Sequence, residues 1–328
     1  MVKIRDVGEW RIIETIFNEI RMYRDMPLPY GDDAAALKAT KQKFIVVNSD
    51  MLVASTDVPP EMTYKQVGRK ATIMCISDLA AKGARPIALL FALGLKADMN
   101  LSDFKELIRG LDEGAKEYNA YIIGGDVNEA CDLIISGTAI GVADNLISRS
   151  GAREGDIVAV TGEFGNTAAG LKILLEGMDA PLPLKKRLLK AVYMPRAQVK
   201  EGVALAESNT ITSAIDSSDG LAISLHEIAS KSGVGFEIGK LPISKEAAKF
   251  SQMHNLDPFE LVFYGGEEYH LVVTVKREEF SKALEAVQSV GGQLIPIGKV
   301  VKENKVIFKR RGVERIIEKR GWEHFTSK

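Results

Sequence analysis

The sequence predicts an α/β fold of two domains, and three features of its 328 residues predict it. β-branched apolar runs alternate with helical stripes in both halves of the chain. The length exceeds what one hydrophobic core usually supports, and an apolar content of 46% is ample for two cores. A polar stretch near residues 144–152 interrupts the alternation, so the predicted domains are residues 1–147 and 148–328.

The first predicted domain places polar residues after several of its apolar runs. Residues 44–47 predict a strand that ends at Asn48, Ser49 and Asp50. Residues 67–83 predict a helix whose apolar stripe also carries Asp78. Beyond it we expect a strand at residues 86–95 and a helix capped by Asn100 or Ser102, with Leu101 and Leu111 inward. A strand at residues 121–123 is predicted to run into Gly124, Gly125 and Asp126, and a further strand is predicted at residues 133–142.

The second predicted domain repeats the alternation of strands and helices. A strand is predicted at residues 157–161, and Pro195 separates two helical stretches, the second of which covers residues 200–207. Another helix is predicted to begin near Asp219, with Leu221 and Leu225 inward. Three further strands are predicted at residues 261–264, 271–275 and 294–301, with a helix at residues 277–290 between the last two.

Composition excludes several classes of protein. With 43 basic and 44 acidic side chains the formal net charge is -1, which lacks the basic excess of a general nucleic-acid binder. Cys75 and Cys131 show no metal-ligand spacing and predict no disulfide framework, as in a reducing compartment. No apolar run reaches the roughly 18 residues of a membrane span, and residues 1–9 contain no apolar signal core. We therefore expect a cytoplasmic protein without a membrane partner.

Six aspartates follow or interrupt long apolar segments. Carboxylates that share one cleft repel each other by roughly 1 kcal/mol per pair in water, and more strongly when partly buried. Such crowding is stable when cations occupy the cleft, and Mg²⁺ prefers oxygen ligands together with substrate phosphates. The pattern therefore predicts several divalent ions and a polyphosphate ligand held by Asp33, Asp50, Asp78, Asp126, Asp216 and Asp219.

Each acidic motif also has a purely structural interpretation. Asp33 follows Gly31 as in a turn, and Asp50 could cap or turn the chain. Asp78 could form an ion pair with Lys70, Lys82 or Arg85, although a buried carboxylate needs a specific partner. Residues 216–220 could supply a helix cap, but they offer more oxygen atoms than one helix start can use. Glu267 and Glu268 could be solvated acids at a β-bulge.

Phosphate-binding signatures of the common nucleotide folds are missing from the sequence. Neither the P-loop pattern nor the dinucleotide-binding glycine pattern occurs. Backbone donors at Gly124 and Gly125, or at the helix start around residues 162–167, could bind a phosphate instead. Arg149 could hold a phosphate with two hydrogen bonds. The four histidines, His226, His254, His270 and His324, show no metal spacing and no nucleophile partner, which disfavours a histidine-based acid–base mechanism.

Seven motifs in order along the chain resemble the thiamine-monophosphate kinase family, which lies in the superfamily of aminoimidazole ribonucleotide synthetase and selenophosphate synthetase. The resemblance spans almost the whole chain and includes Trp322 in the C-terminal tail. The motifs are residues 31–35 (GDDAA), 48–50 (NSD), 77–83 (SDLAAKG), 124–126 (GGD), 148–151 (SRSG), 214–221 (AIDSSDGL) and 265–269 (GGEEY).

The resemblance implies a two-domain α/β (α+β) fold in which strands of the N-terminal domain form a homodimer interface and the C-terminal domain closes the active cleft. Two positions depart from the family pattern: Asp57 stands where bacterial relatives often have a histidine, and Glu268 stands where an aspartate is usual. The implied roles are Mg²⁺ binding by Asp33, Ser49, Asp50, Asp78, Asp126, Asp216 and Asp219, ATP contacts by Gly124, Gly125, Asp126, Arg149 and Ser218, and thiamine monophosphate contacts by Asp57, Glu267 and Trp322.

The implied reaction transfers the γ-phosphoryl group of ATP to the phosphate of thiamine monophosphate, assisted by several Mg²⁺ ions. The nucleophile is an anionic phosphate oxygen, so no residue is expected to act as general base or nucleophile. We also expect Trp322 to stack on the cationic acceptor. Two alternatives stay open: another ATP-dependent phosphotransferase or synthetase of the same superfamily, and a non-catalytic nucleotide and Mg²⁺ sensor.

Overall fold

The computed structural model describes residues 4, 8–41, 43–310 and 312–323. The described residues do not include His324 and the residues after it. They also leave out most of residues 1–9, where no signal core is expected. The described chain forms two mixed β-sheets with helices packed against them, which confirms the α/β fold predicted from the sequence.

The first half of the chain folds around a five-stranded sheet of order β1-β2-β5-β3-β4, in which only the β3–β4 pair is parallel. Buried and half-buried residues alternate along β5, so one sheet face is covered and the other is open. The elements are α1 (Glu9–Glu19), β1 (Ala35–Lys38), β2 (Phe44–Val53), α2 (Ala54–Asp57), α3 (Tyr64–Ala81), β3 (Arg85–Leu95), α4 (Leu101–Glu117), β4 (Tyr121–Glu129) and β5 (Ile134–Ala143).

Helix α3 lies on the covered face, which we call the inner face of this sheet. A Cβ added at Gly137 of β5 would lie 2.5 Å from Cys75 Sγ of α3, so helix and sheet are in close contact. Helix α4 packs on α3 with similar closeness, because a Cβ at Gly110 would lie 1.9 Å from Lys65 O. Thr63 begins α3 with a capping box that it shares with Gln66. These contacts fix the position of the acidic side chain that α3 carries.

The second half folds around a seven-stranded sheet of order β12-β11-β8-β10-β6-β9-β7. Its pairs are antiparallel except β11–β8. The elements are β6 (Ile157–Val160), α5 (Asn166–Glu176), α6 (Leu182–Tyr193), α7 (Val199–Ser208), β7 (Ile211–Asp216), α8 (Leu221–Ser232), β8 (Gly235–Ile238), α9 (Lys245–Met253), α10 (Pro258–Phe263), β9 (Leu271–Val275), α11 (Phe280–Ser289), β10 (Ile295–Val301), β11 (Val306–Arg310) and β12 (Val313–Ile316).

The two halves share a continuous hydrophobic core. One buried cluster runs from Ile76 and Leu79 of α3 to Leu205 of α7 and Val273 of β9. Helices α3 and α7 touch at backbone level, since a Cβ at Gly202 would lie 2.0 Å from Ala80 O. Helix α3 therefore contacts both sheets, and its polar residues lie where the halves meet.

Four predictions of local structure are wrong. Leu101 of α4 does not point inward, since it is 66% exposed. Strand β2 does not end at Asn48–Asp50 but continues to Val53, because β5 pairs with it along its whole length. Gly124, Gly125 and Asp126 lie inside β4 rather than after it. The strand predicted at residues 261–264 is helix α10, which Asp257 caps by accepting a hydrogen bond from Phe259 N at 2.9 Å. The local cap and the tertiary packing outweigh β-propensity here.

Among the described residues, no helix combines the length and the apolar character that crossing a membrane requires.

Candidate active site

Three aspartates from distant parts of the chain converge where the two halves meet. Asp33 precedes β1, Asp78 lies on α3 and Asp216 ends β7. One carboxylate oxygen of each lies within 4.8 Å of those of the other two. No local motif could have shown this closeness, because each residue belongs to a different element. The convergence that the acidic pattern predicts is therefore present for these three residues.

Asp78 points from α3 toward strand β2. Its Oδ2 accepts a hydrogen bond from Asn48 Nδ2 at 2.8 Å. Burial, followed by the nearby charges of Asp216, Asp50 and Asp33, raises the pKa of Asp78 well above its ordinary value. The structure thus holds a carboxylate in a place that disfavours its ionised form unless a cation is close.

Asp216 and Asp219 flank the turn between β7 and α8. Ser77 donates a hydrogen bond to Asp216 Oδ2 at 2.6 Å, which ties this turn to α3. Burial, with added repulsion from Asp33, raises the pKa of Asp216 to about 7. Burial and the charge of Asp216 raise the pKa of Asp219 to about 7 as well. The N-cap of α8 is Gly220, without a side-chain hydrogen bond, so these acids are not used as helix caps.

Asp32 and Asp33 lie in a different electrostatic setting, because two fixed cations contact them. Lys82 Nζ lies 2.5 Å from Asp32 Oδ1 and 2.7 Å from Asp33 Oδ2, and all three side chains are fully buried. Arg149 donates from Nε to Asp33 Oδ1 at 2.6 Å and from its backbone N to Asp32 Oδ2 at 3.0 Å. Burial would raise the pKa of Asp32, but the lysine and the hydrogen bonds, including one from Ser148, lower it overall.

Asp50, Ser49 and Asp126 divide between the two faces of the first sheet. Asp50 shares the inner face with Asn48, and its charge contributes to the raised pKa of Asp78. Ser49 points to the opposite, outer face and donates to Gly137 O at 3.2 Å. Asp126 is paired with Ala92 in the β-ladder and is exposed on that same outer face. Within one chain the structure therefore does not bring Ser49 and Asp126 into the acidic cluster.

Gly124 and Gly125, which are expected to contact ATP, lie in β4, where Gly125 has a structural role. A Cβ at Gly125 would lie 1.9 Å from Phe91 O, so only glycine allows β4 to pair this closely with β3. Gly124 follows a register shift in the same ladder and is exposed at the sheet edge. Ser218 lies in the turn between β7 and α8, where its carbonyl accepts a hydrogen bond from Glu267 N at 2.6 Å.

The three residues expected to contact the acceptor lie around this turn and the start of α3. Glu267 Oε1 accepts a hydrogen bond from Lys70 Nζ at 2.5 Å, and the same ammonium donates to Asp57 O at 2.7 Å. Trp322 N donates to Asp219 O at 3.1 Å, and the Trp322 side chain is 41% exposed.

Glu268 and His270 follow Glu267 in the sequence and support the loop before α5. Glu268 Oε1 accepts hydrogen bonds from Gly165 N at 2.7 Å and Thr167 N at 3.1 Å, at the positive end of the helix. Burial raises the pKa of Glu268 to about 7. Burial lowers the pKa of His270 to about 4, so this imidazole is neutral at pH 7. The loop of residues 162–167 is thus occupied by an acidic side chain of the chain itself, which does not favour it as a phosphate site.

Sequence reasoning missed the roles of several neighbours of the site. It offered Lys70, Lys82 and Arg85 as possible ion-pair partners of Asp78, but they contact Glu267, the Asp32–Asp33 pair and Glu207, respectively. It did not single out the Asn48 side chain as a partner of Asp78. The lysine in the motif at residues 77–83 was the available signal, since a lysine on a buried helical stripe requires an acidic partner.

The residues of the cluster fit a hard divalent cation. Every ligand atom that Asp33, Asp78 and Asp216 offer is a carboxylate oxygen, which Mg²⁺ prefers. Within the described part of the chain, the buried Asn48 Oδ1 and Ser217 Oγ also have no hydrogen-bond partner. Orphaned oxygen atoms beside crowded carboxylates are costly unless a cation or its water shell satisfies them.

Both halves of the chain match models of known protein families. Residues 31–143 match the model of the AIR synthase related protein N-terminal domain, and residues 153–310 match that of the C-terminal domain. The chain is 38% identical over 298 residues to a thiamine-monophosphate kinase of Pyrococcus abyssi, with 90% of each chain covered. It is 36% identical over 296 residues to the thiamine-monophosphate kinase of Pyrococcus horikoshii, with the same coverage.

A solved structure shares nearly the whole fold. The structure described as AaThiL complexed with AMPPCP and TMP superposes with a TM-score of 0.86 at 26% identity and covers 99% of both chains. The two-domain arrangement of mixed sheets and helices is therefore that of this structure.

Proposed function

The chain belongs to the thiamine-monophosphate kinase family of AIR synthase related proteins, and from this membership we propose that it transfers the γ-phosphoryl group of ATP to thiamine monophosphate. The observation that carries the proposal is the convergence of Asp33, Asp78 and Asp216 between the two halves of the chain. A related structure of the same fold is described as bound to an ATP analogue and TMP.

The acidic cluster is the proposed site of divalent cations. We propose that Asp33, Asp50, Asp78, Asp216 and Asp219 of one chain hold Mg²⁺, which when bound would neutralise the repulsion between two anionic reactants and align them. Ser77 and Asn48 orient two of these carboxylates through hydrogen bonds of 2.6 and 2.8 Å. Such partners keep ligand oxygens in place before the reactants bind.

The chain's own residues are proposed to position the reactants rather than to move protons. The acceptor oxygen of a phosphate monoester is already anionic near neutral pH, so a general base is not required. The three described histidines hydrogen-bond backbone carbonyls of Ile317, Asp179 and Glu163, away from the acidic cluster. For these three histidines the hydrogen bonds support a structural role, and the absence of a histidine-based proton transfer stays a prediction.

On the nucleotide side, Arg149 is the proposed phosphate contact, with the turn at Ser218 beside it. The Arg149 side chain is 19% exposed, and Asp33 holds its guanidinium in a fixed orientation. An arginine fixed in this way can present its remaining donors to a phosphate oxygen with little entropy cost. Gly124, Gly125 and Asp126 complete the proposed ATP contacts.

We further propose that the protein is a homodimer joined through the outer face of the first sheet. Tyr121, Met51 and Ile45 on this face are 73%, 55% and 36% exposed. Exposed apolar side chains along one sheet face favour a protein partner. Ser49 and Asp126 also lie on this face, apart from their own chain's cluster, so in the dimer they would face the partner chain. Sedimentation analysis of the wild type and of Met51→Asp tests this, with a shift to monomer expected for the variant.

The division at residues 147 and 148 and the cytoplasmic location stay predictions. The location is supported by Cys75 and Cys131, which are both free thiols.

The direct test measures product formation. Purified protein is incubated with ATP, Mg²⁺ and thiamine monophosphate, and ADP and thiamine diphosphate are separated by chromatography. We expect equimolar ADP and thiamine diphosphate that depend on the acceptor and disappear with a chelator. Magnesium-dependent ATP binding without turnover would instead favour the sensor alternative, and turnover with a different acceptor would favour another phosphotransferase.

A further inference from the structure

Lys70 is a buried cation that joins two parts of the proposed acceptor site. It lies on α3 with its side chain 1% exposed. Its Nζ donates to Asp57 O at 2.7 Å and to Glu267 Oε1 at 2.5 Å. Asp57 belongs to the first half of the chain and Glu267 to the second, so this single ammonium bridges the cleft between them.

Glu267 combines a strained backbone with a partly exposed side chain. Its φ is 61°, a left-handed conformation that is uncommon for a residue with a side chain. The hydrogen bond from Glu267 N to Ser218 O at 2.6 Å holds the backbone in place. The side chain is 28% exposed, so without Lys70 its carboxylate could turn into water.

The ion pair uses one carboxylate oxygen and presents the other. Lys70 binds Oε1, and among the described residues Oε2 of Glu267 makes no hydrogen bond. We propose that Lys70 is a positioning residue that fixes the Glu267 carboxylate so that Oε2 accepts a hydrogen bond from the amino group of the acceptor's heterocycle. This inference rests on the proposed function, because it assigns Glu267 to the acceptor.

A positioning role differs from a purely structural one in what it changes. A structural ion pair between the two halves would affect folding and both substrates alike. A residue that positions Glu267 affects the KM of the acceptor and leaves the KM of ATP unchanged. Lys70 fits this description, because the hydrogen bonds found for it reach none of Arg149, Ser218 and the acidic cluster.

The test is a double-mutant cycle with Lys70→Met and Glu267→Gln, measured by steady-state kinetics in saturating Mg²⁺. We expect each single change to raise the KM of thiamine monophosphate by about tenfold and to shift the KM of ATP by less than about twofold. Because the two side chains act as one unit, the double variant should be about tenfold impaired rather than about a hundredfold.

Lys65→Met is the matched control, since Lys65 lies on the same helix in an exposed pair with Glu113. It should leave both KM values unchanged. Melting temperatures of all variants are measured alongside, and Lys70→Gln replaces Lys70→Met if the latter does not fold. Additive effects in the cycle, or equal rises in both KM values, would overturn the inference. A wild type that forms no thiamine diphosphate would overturn the proposed function itself, which is a separate result.

Discussion

Two groups of aspartates lie side by side in the cleft, but they differ in how their charges are balanced. Asp32 and Asp33 contact Lys82 and Arg149. These two aspartates form the first group, and Asp78, Asp216 and Asp219 form the second. Among the described lysines and arginines, none forms an ion pair with a member of the second group. The pKa of Asp32 is lowered, whereas burial raises the pKa of Asp78, Asp216 and Asp219.

The difference shows which carboxylates are balanced within the fold and which depend on a ligand. A buried carboxylate that contacts a fixed cation recovers much of its desolvation cost, and removing that cation alone is strongly destabilising. A buried carboxylate without one destabilises it when ionised. The first group therefore has its charge balanced within the fold, although Asp33 also offers an oxygen atom to the cluster, and the second group is where an added cation lowers the free energy most.

Removing the fixed cation should have the largest effect. Lys82→Met leaves two buried carboxylates without their ammonium, and we expect a loss of about 3–5 kcal/mol in the free energy of unfolding. Urea denaturation with and without Mg²⁺ measures this. Lys116→Met, which breaks an exposed pair with Asp112, is the control and should leave the free energy of unfolding nearly unchanged. A loss no greater than that of the control would mean that Lys82 does not balance the first group.

Removing a carboxylate of the second group should lower the activity without lowering the stability of the fold. Asp78→Asn keeps the shape and removes a charge that the fold does not balance. We expect turnover to fall by at least about 100-fold while the melting temperature without Mg²⁺ stays equal or rises. Asp112→Asn, on an exposed helix face, should change neither quantity by much. A parallel loss of activity and melting temperature would indicate a structural ion pair at Asp78.

The pH dependence should also distinguish the groups. The pKa of Asp216 and of Asp219 is about 7 in the metal-free fold, above the ordinary value of 3.8. The folded state then holds more protons than the unfolded state between about pH 4 and 7, so metal-free stability falls as the pH rises through this range. Mg²⁺ binding that requires one of these groups in its ionised form should strengthen by roughly tenfold from pH 6 to pH 8, and by roughly a hundredfold where both must be ionised. Calorimetry at both values measures this, and equal affinities would contradict the raised pKa values.

The smallest expected effect concerns Trp322, whose backbone is tied to Asp219 of the second group. If the acceptor lies beside this group, Trp322→Ala should raise its KM by about 2- to 30-fold through loss of stacking on a cationic ring, with little change in the KM of ATP. Trp322→Phe, which keeps a ring face, should show a smaller rise. Unchanged acceptor kinetics in both variants would place the acceptor elsewhere.

Local patterns predicted most of the elements but not their limits. The helix with Asp78 and the strand at residues 271–275 were predicted within a few residues, because their periodicities are long or their flanks are clear. The strand at residues 44–47 was predicted too short, because the polar residues Asn48 and Asp50 resemble an ending. In the fold they stay in the strand, since β5 pairs along it and the inner face accommodates polar atoms beside α3.

The sequence by itself determined which residues could bind cations and phosphates, because oxygen-rich motifs beside apolar segments are a property of residue order. Only the tertiary structure decided how these residues are grouped. The pairs Lys82–Asp32 and Lys70–Glu267 join residues 50 and 197 positions apart. Strand alternation then placed Asp50 and Asp126 on opposite faces of one sheet. Charge balance depends on distance and burial, and both are set by the packing of α3 between the two sheets.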